Sequence, residues 1–108
     1  MTKIMFGKDK LGVVFAISGH SGAKHINNND LCCCAASMMC AVLENYLRKI
    51  KPRNLKISKA EASFIAHFER IGMKSVKACE VAEAIYGGFE LLKEIYPSNI
   101  SVSRGDFV

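Results

Sequence analysis

No apolar run in this chain approaches the length needed to cross a membrane. The first ten residues, Met1 to Lys10, lack the apolar core of a signal peptide. No internal repeat, Pro/Gly/Ser-rich linker or low-complexity stretch divides the sequence. No two cysteines stand in a Cys-x-x-Cys pair, the spacing that lets two sulfurs converge on zinc, so no metal site is expected. The five cysteines are Cys32, Cys33, Cys34, Cys40 and Cys79. An odd number with three adjacent makes a poor disulfide framework and suits a reducing compartment. These absences predict a cytoplasmic protein.

What is present suits a globular fold. Half of the 108 residues are hydrophobic and 23% are charged. That length suits one domain over residues 1–108, large enough for a core without disulfides or structural metal. The formal net charge is +5, and the basic residues thicken at Arg48, Lys49, Lys51, Arg53, Lys56 and Lys59. Cations at a helix C-terminus followed by a solvated strand face explain that run. A patch facing RNA or a ribosomal surface is the sharper reading.

Period-two alternation predicts strands over Thr2–Phe6 and Val13–Ser18, joined through the turn signal of residues 7–10. Apolar residues on both sides of the second strand predict that both of its faces are partly covered. Gly19 to Asn29 is polar, without apolar period, and reads as a loop, of which Ser21 to Asn29 is expected to close over bound peptide. Asp30 is placed to cap a helix from Leu31 to about Lys51, ended by Pro52, with Cys32, Ala36, Met39, Leu43, Tyr46 and Ile50 as its apolar stripe. Leu55–Ser58 and Ala62–Phe68 read as strands. Ser75–Tyr96 reads as a second helix, with a stripe of Val81, Ile85, Phe89 and Leu92. Gly87-Gly88 weakens that helix, and Pro97 ends it. Ile100–Ser103 makes a last strand. The expected fold is α/β of the α+β type, in the order β-β-α-β-β-α-β: one sheet of four to five strands carrying two long helices.

The chemistry gathers between Gly19 and Ser37. A histidine ends a strand and cysteines begin a helix, with a loop between. A helix N-terminus stabilises a thiolate, and an imidazole can take the thiol proton and return it to a leaving amine. The free amides of the first turn can donate to an oxyanion. His20 and His25 are both available as base. Three consecutive helical residues point about 100° apart. Cys32 aligns with the core stripe, Cys34 with Met38 and Ala41, and Cys33 with Ser37. Cys40 reads as structural filler, Cys79 as helix packing and His67 as solvent-facing. Asp30 also lies where it can orient His20, although capping alone accounts for it.

This segment resembles the ribosomal-processing cysteine protease (Prp) family. That family joins Gly-His-Ala to Gly-x-Asp-Ile-Val-Cys-Ala-Ala-x-Ser through a short loop. Gly19 and His20 match the first part, and Asp30, Cys33, Ala35 and Ser37 the second, with Leu31 conservative for isoleucine. The run Tyr96-Pro97-Ser98-Asn99-Ile100 is similar to the family's close. Ser21, Asn28, Cys32 and Cys34 depart from the pattern, and the loop is one residue longer. The resemblance implies Cys33 as nucleophile, His20 as base, and Gly19, Asp30 and Ser37 in support. It also implies a homodimer, no metal or other cofactor, and no requirement for nucleic acid. The implied substrate is a ribosomal protein precursor, the twenty-seventh protein of the large subunit, which loses an N-terminal extension after a pair of aromatic residues. The rival expectation is a basic, non-enzymatic module that binds ribosomal RNA or a ribosomal protein. Steep salt dependence and ordinary thiols would mark the rival, and one fast-reacting thiol the enzyme.

Overall fold

The computed structural model describes residues 1–10, 12–19 and 28–106. Five strands and two helices follow in the expected order: β1 (Thr2–Lys8), β2 (Gly12–Ser18), α1 (Asn28–Ile50), β3 (Lys56–Ala60), β4 (Ser63–Glu69), α2 (Met73–Ile95) and β5 (Ile100–Asp106). The strands form one mixed sheet in the order β3-β4-β2-β1-β5. β1 pairs with β5 in parallel, and every other pair is antiparallel. This arrangement contains two split β-α-β crossovers. α1 carries the chain from β2 over β4 to β3, and α2 carries it from β4 over β2 and β1 to β5.

Alternation decides which face the helices cover. Ile4, Phe6, Val13, Phe15, Ile17, Phe64, Ala66 and Phe68 are buried, while Lys3, Met5, Ile65 and His67 are exposed. Val14 and Ala16, on the other side of β2, are half-buried, so both faces of that strand are partly covered, with the core on one. Full burial of the isoleucine, valine and phenylalanine side chains on the core face contributes about 1.5–3 kcal/mol each. α1 adds Cys32, Ala36, Leu43 and Leu47 to the core. α2 adds Ala78, Ala82, Tyr86, Phe89 and Leu92. Of the expected α2 stripe, Phe89 and Leu92 are buried, while Val81 and Ile85 lie at the half-buried margin, and small residues at 78 and 82 let the helix approach the sheet.

Gly87 and Gly88 do not interrupt α2. A Cβ at Gly88 would stand 2.7 Å from the Met39 sulfur, so this glycine admits α1. Packing between the helices offsets the helix-propensity cost. β1 extends past its expected end to Lys8, and the turn closes as the Gly12 amide donates to Asp9 Oδ1 at 2.6 Å. β5 likewise continues beyond Ser103, because Arg104 is held by Glu83 on α2, at 2.6 Å to each carboxylate oxygen.

Helix α1 begins at Asn28, about one turn upstream of Leu31. Asp30 is therefore the third helical residue and not the cap. Its backbone lies in the first turn, where an acidic residue still suits the positive end of the helix. At the other end Lys51 takes φ 53° and its amide donates to Leu47 at 2.8 Å, closing the helix before Pro52.

Candidate active site

A cleft of about 420 Å³ lies between the N-terminal half of α1, the start of β1, the end of β2 and the β3–β4 turn. Helical periodicity brings one face of α1 to it: Cys33, Ser37, Cys40 and Glu44, with Ala36 and Ala41 beside them. Opposite stand Ile17 and Gly19 from β2 and its end, with Ala62, Ser63 and Phe64 from the turn and β4. The wall is mostly apolar, with Glu44 and Lys59 at its charged end.

The three adjacent cysteines occupy three environments. Cys32 is wholly buried in the core, Cys33 is half-buried in the cleft wall, and Cys34 is exposed and outside the cleft lining. One thiol of the three therefore reaches the cleft, with Ser37 one turn further on. Cys33 is the sixth residue of α1 and so sits in its second turn, not the first as expected. The free amides belong to the turn before it, so the helix end helps Cys33 less and a paired base matters more. Cys40 also faces the cleft, where burial, followed by the nearby Glu44 charge, pushes its thiol up to about 11. It stays protonated at neutral pH and is a poor nucleophile.

Gly19 brings the chain to the cleft just before His20. Its φ is 87°, and a Cβ there would collide with the Met1 carbonyl oxygen. Its amide donates to the Ala62 carbonyl at 2.8 Å, and Ala62 itself takes φ 60° in the two-residue turn after β3. His20, His25 and the rest of the polar loop through Asn27 lie outside the described residues. The Asp30 backbone lies one turn before Cys33. His67 is exposed on the open face of the sheet, as its alternation predicted, and lies outside the cleft lining.

Glu44 escaped the sequence reading. It accepts from Arg48 at 2.8 Å and pairs with Lys59 at 3.1 Å. These partners, Arg48 first, hold its carboxyl below the usual range. Its place seven residues after Ser37 was visible in the sequence, but the partner from β3 was not.

Residues 1–101 match the family described as cysteine protease Prp. The chain belongs to the Prp family and is a cysteine protease. The same fold appears in the crystal structure of SMU.848 from Streptococcus mutans, at TM-score 0.74 and 19% identity, covering 99% of this chain and 96% of that one. It appears again in the S. aureus ribosomal processing protease Prp with a covalently linked product peptide, at TM-score 0.76 and 14% identity, covering 96% and 99%. That S. aureus protease with a substrate peptide gives TM-score 0.71 and 16% identity over the same shares. No curated protein sequence matches the chain. Prp membership fits the cleft: one cysteine of the adjacent three lines it, and so does the glycine of the Gly-His pair. Among the described residues no group of three His, Cys, Asp or Glu is arranged to hold a metal ion, and no helix is long and apolar enough to cross a membrane.

Proposed function

We propose that this Prp-family protease removes an N-terminal extension from a ribosomal protein precursor, the twenty-seventh protein of the large subunit, with Cys33 as nucleophile and His20 as general base. The observation that carries this reading is the sharing of one cleft by Cys33, Ser37 and Gly19, the residue before His20. His20 takes the Cys33 proton as the sulfur attacks the scissile carbonyl. The proton then passes to the leaving amine, and water hydrolyses the acyl-enzyme. Ser37 lies within one helical turn of the thiol, where its hydroxyl can steady the reacting carbonyl. Gly19 gives the chain the turn it needs before His20, and Asp30, one turn before Cys33, adds negative charge where α1 begins. The S. aureus protease, solved with a covalently linked product peptide, supports a covalent route.

The apolar wall of Ile17, Ala36, Ala41 and Phe64 suits an aromatic side chain beside the cut. The protease works in the cytoplasm, as a homodimer, and needs no cofactor and no nucleic acid for hydrolysis. The test is incubation with two peptides spanning the extension, one with its paired aromatics and one with alanines there, followed by intact mass. Cleavage after the aromatic pair alone is expected, and equal cleavage of both removes the specificity.

A further inference from the structure

The charge of this protein is concentrated in one short segment. Residues 48–59 hold Arg48, Lys49, Lys51, Arg53, Lys56 and Lys59, and no Asp or Glu. The rest of the chain carries nine Lys and Arg against ten Asp and Glu, a net charge of −1, so this segment accounts for the whole positive balance. The fold sets these residues along one border of the molecule, from the last turn of α1, around a tight turn, and onto β3, the edge strand of the sheet. All six side chains are exposed.

Two carboxylates answer them. Glu44 pairs with Arg48 and Lys59, and Glu69 with Arg53. Lys49, Lys51 and Lys56 make no ion pair with a described residue. Lys56 stands opposite His67 on β4, and both are exposed. Cations at the end of α1 suit the helix dipole, and a lysine on an edge strand discourages sheet-to-sheet pairing. Each role needs one or two charges. Neither accounts for six without an intervening acid.

The chemistry of the border narrows its partner. Its apolar residues Ile50, Leu55 and Ile57 are half-buried and Pro52 is buried, so the segment has no exposed apolar side chain to insert into a bilayer. It also lacks the aromatic or aliphatic anchor around which folded protein partners dock. A ribbon of exposed cations without anchors complements a polymer with regularly spaced negative charge.

We propose that the border from Arg48 to Lys59 binds the phosphate backbone of RNA, and so holds the protease beside a substrate that is itself on RNA. Choosing RNA among phosphate polymers rests on the ribosomal-precursor reading above. Peptide hydrolysis does not need Lys49, Lys51 or Lys56, which lie outside the cleft lining. The surface meets the cleft at Lys59, one of its lining residues.

The test is fluorescence anisotropy of a labelled single-stranded RNA between about 50 and about 200 mM salt. The proteins are the full chain, a border variant (Lys49→Gln, Lys51→Gln, Lys56→Gln) and an α2 variant with equal charge loss (Lys74→Gln, Lys77→Gln, Lys93→Gln). The border variant is expected to lose at least about tenfold in affinity at low salt. Its slope of log affinity against log salt should flatten by about 2, near 0.7 per lost phosphate contact on a single strand. The α2 variant should keep the parent's affinity, and all three should cleave a short peptide alike. Equal loss in both variants, binding without salt dependence, or capture by anionic vesicles in place of RNA overturns the proposal. Peptide cleavage is scored separately, so failure of the substrate reading is distinguishable from failure of this surface.

Discussion

The Gly19 amide donates to the Ala62 carbonyl at 2.8 Å, tying the end of β2 to the β3–β4 turn across one side of the cleft. Both residues take positive φ, 87° and 60°. Glycine meets that requirement without strain, whereas an L-residue there costs about 1–2 kcal/mol. Gly19→Ala should destabilise the protein by about 2 kcal/mol or more, because the new Cβ also meets the Met1 backbone. Ala62→Gly should be neutral or stabilising. Urea unfolding of both variants checks this, and a harmless Gly19→Ala would show that the turn before His20 is not constrained.

The paired glycines of α2 should separate. A Cβ at Gly87 meets nothing within 4 Å, so Gly87→Ala should stabilise by about 0.5–1 kcal/mol. Gly88→Ala presses on the Met39 sulfur and should gain less or lose. Met39→Ala in the same chain should restore part of the Gly88→Ala deficit. Thermal unfolding of the variants reads the difference, and identical gains at both positions would contradict the close approach of α1 and α2.

Glu83 joins β1, β5 and α2 through Lys8 at 2.8 Å and Arg104 at 2.6 Å. The Arg104 hydrogen bond, with Lys8, holds its carboxyl down at about 2 from an ordinary 4.5. A carboxyl lowered on folding stabilises fully above its unfolded value. That stabilisation fades as pH falls from about 4.5 toward 2. Glu83→Gln should therefore be less stable than the parent at pH 6, with the gap closing toward pH 2. Urea midpoints measured across that range check the trend, and a gap independent of pH would contradict it.

The element order was legible because alternating and helical apolar periods stand out in β1, β2, β4, α1 and α2. The start of α1 was not. Asn27-Asn28-Asn29 carries no apolar period, and Asp30 is a good cap by composition, yet the first turn of a helix tolerates polar residues because its amides are free. The end of β5 was hidden for a related reason: Arg104 reads as a polar tail until Glu83 is known to lie opposite. Of the site, helical geometry sorted Cys32, Cys33 and Cys34 correctly from the one-dimensional pattern. The contribution of Glu44, Lys59 and the β3–β4 turn depends on tertiary contacts between distant segments, which no local pattern encodes.

The most direct measurement of the account is peptide cleavage by purified, folded cysteine variants, with iodoacetamide labelling mapped by mass spectrometry. Cys33→Ser should abolish cleavage, and His20→Ala should lower it by about 10²–10⁴-fold, the contribution of a general base. Cys32→Val, Cys34→Ala and His25→Ala should keep most of it. Cys40→Ala should as well, since burial keeps that thiol protonated to about 11. In the parent protein Cys33 should label fastest near neutral pH. Full activity in Cys33→Ser, or fastest labelling at Cys34, would contradict the assignment of the nucleophile.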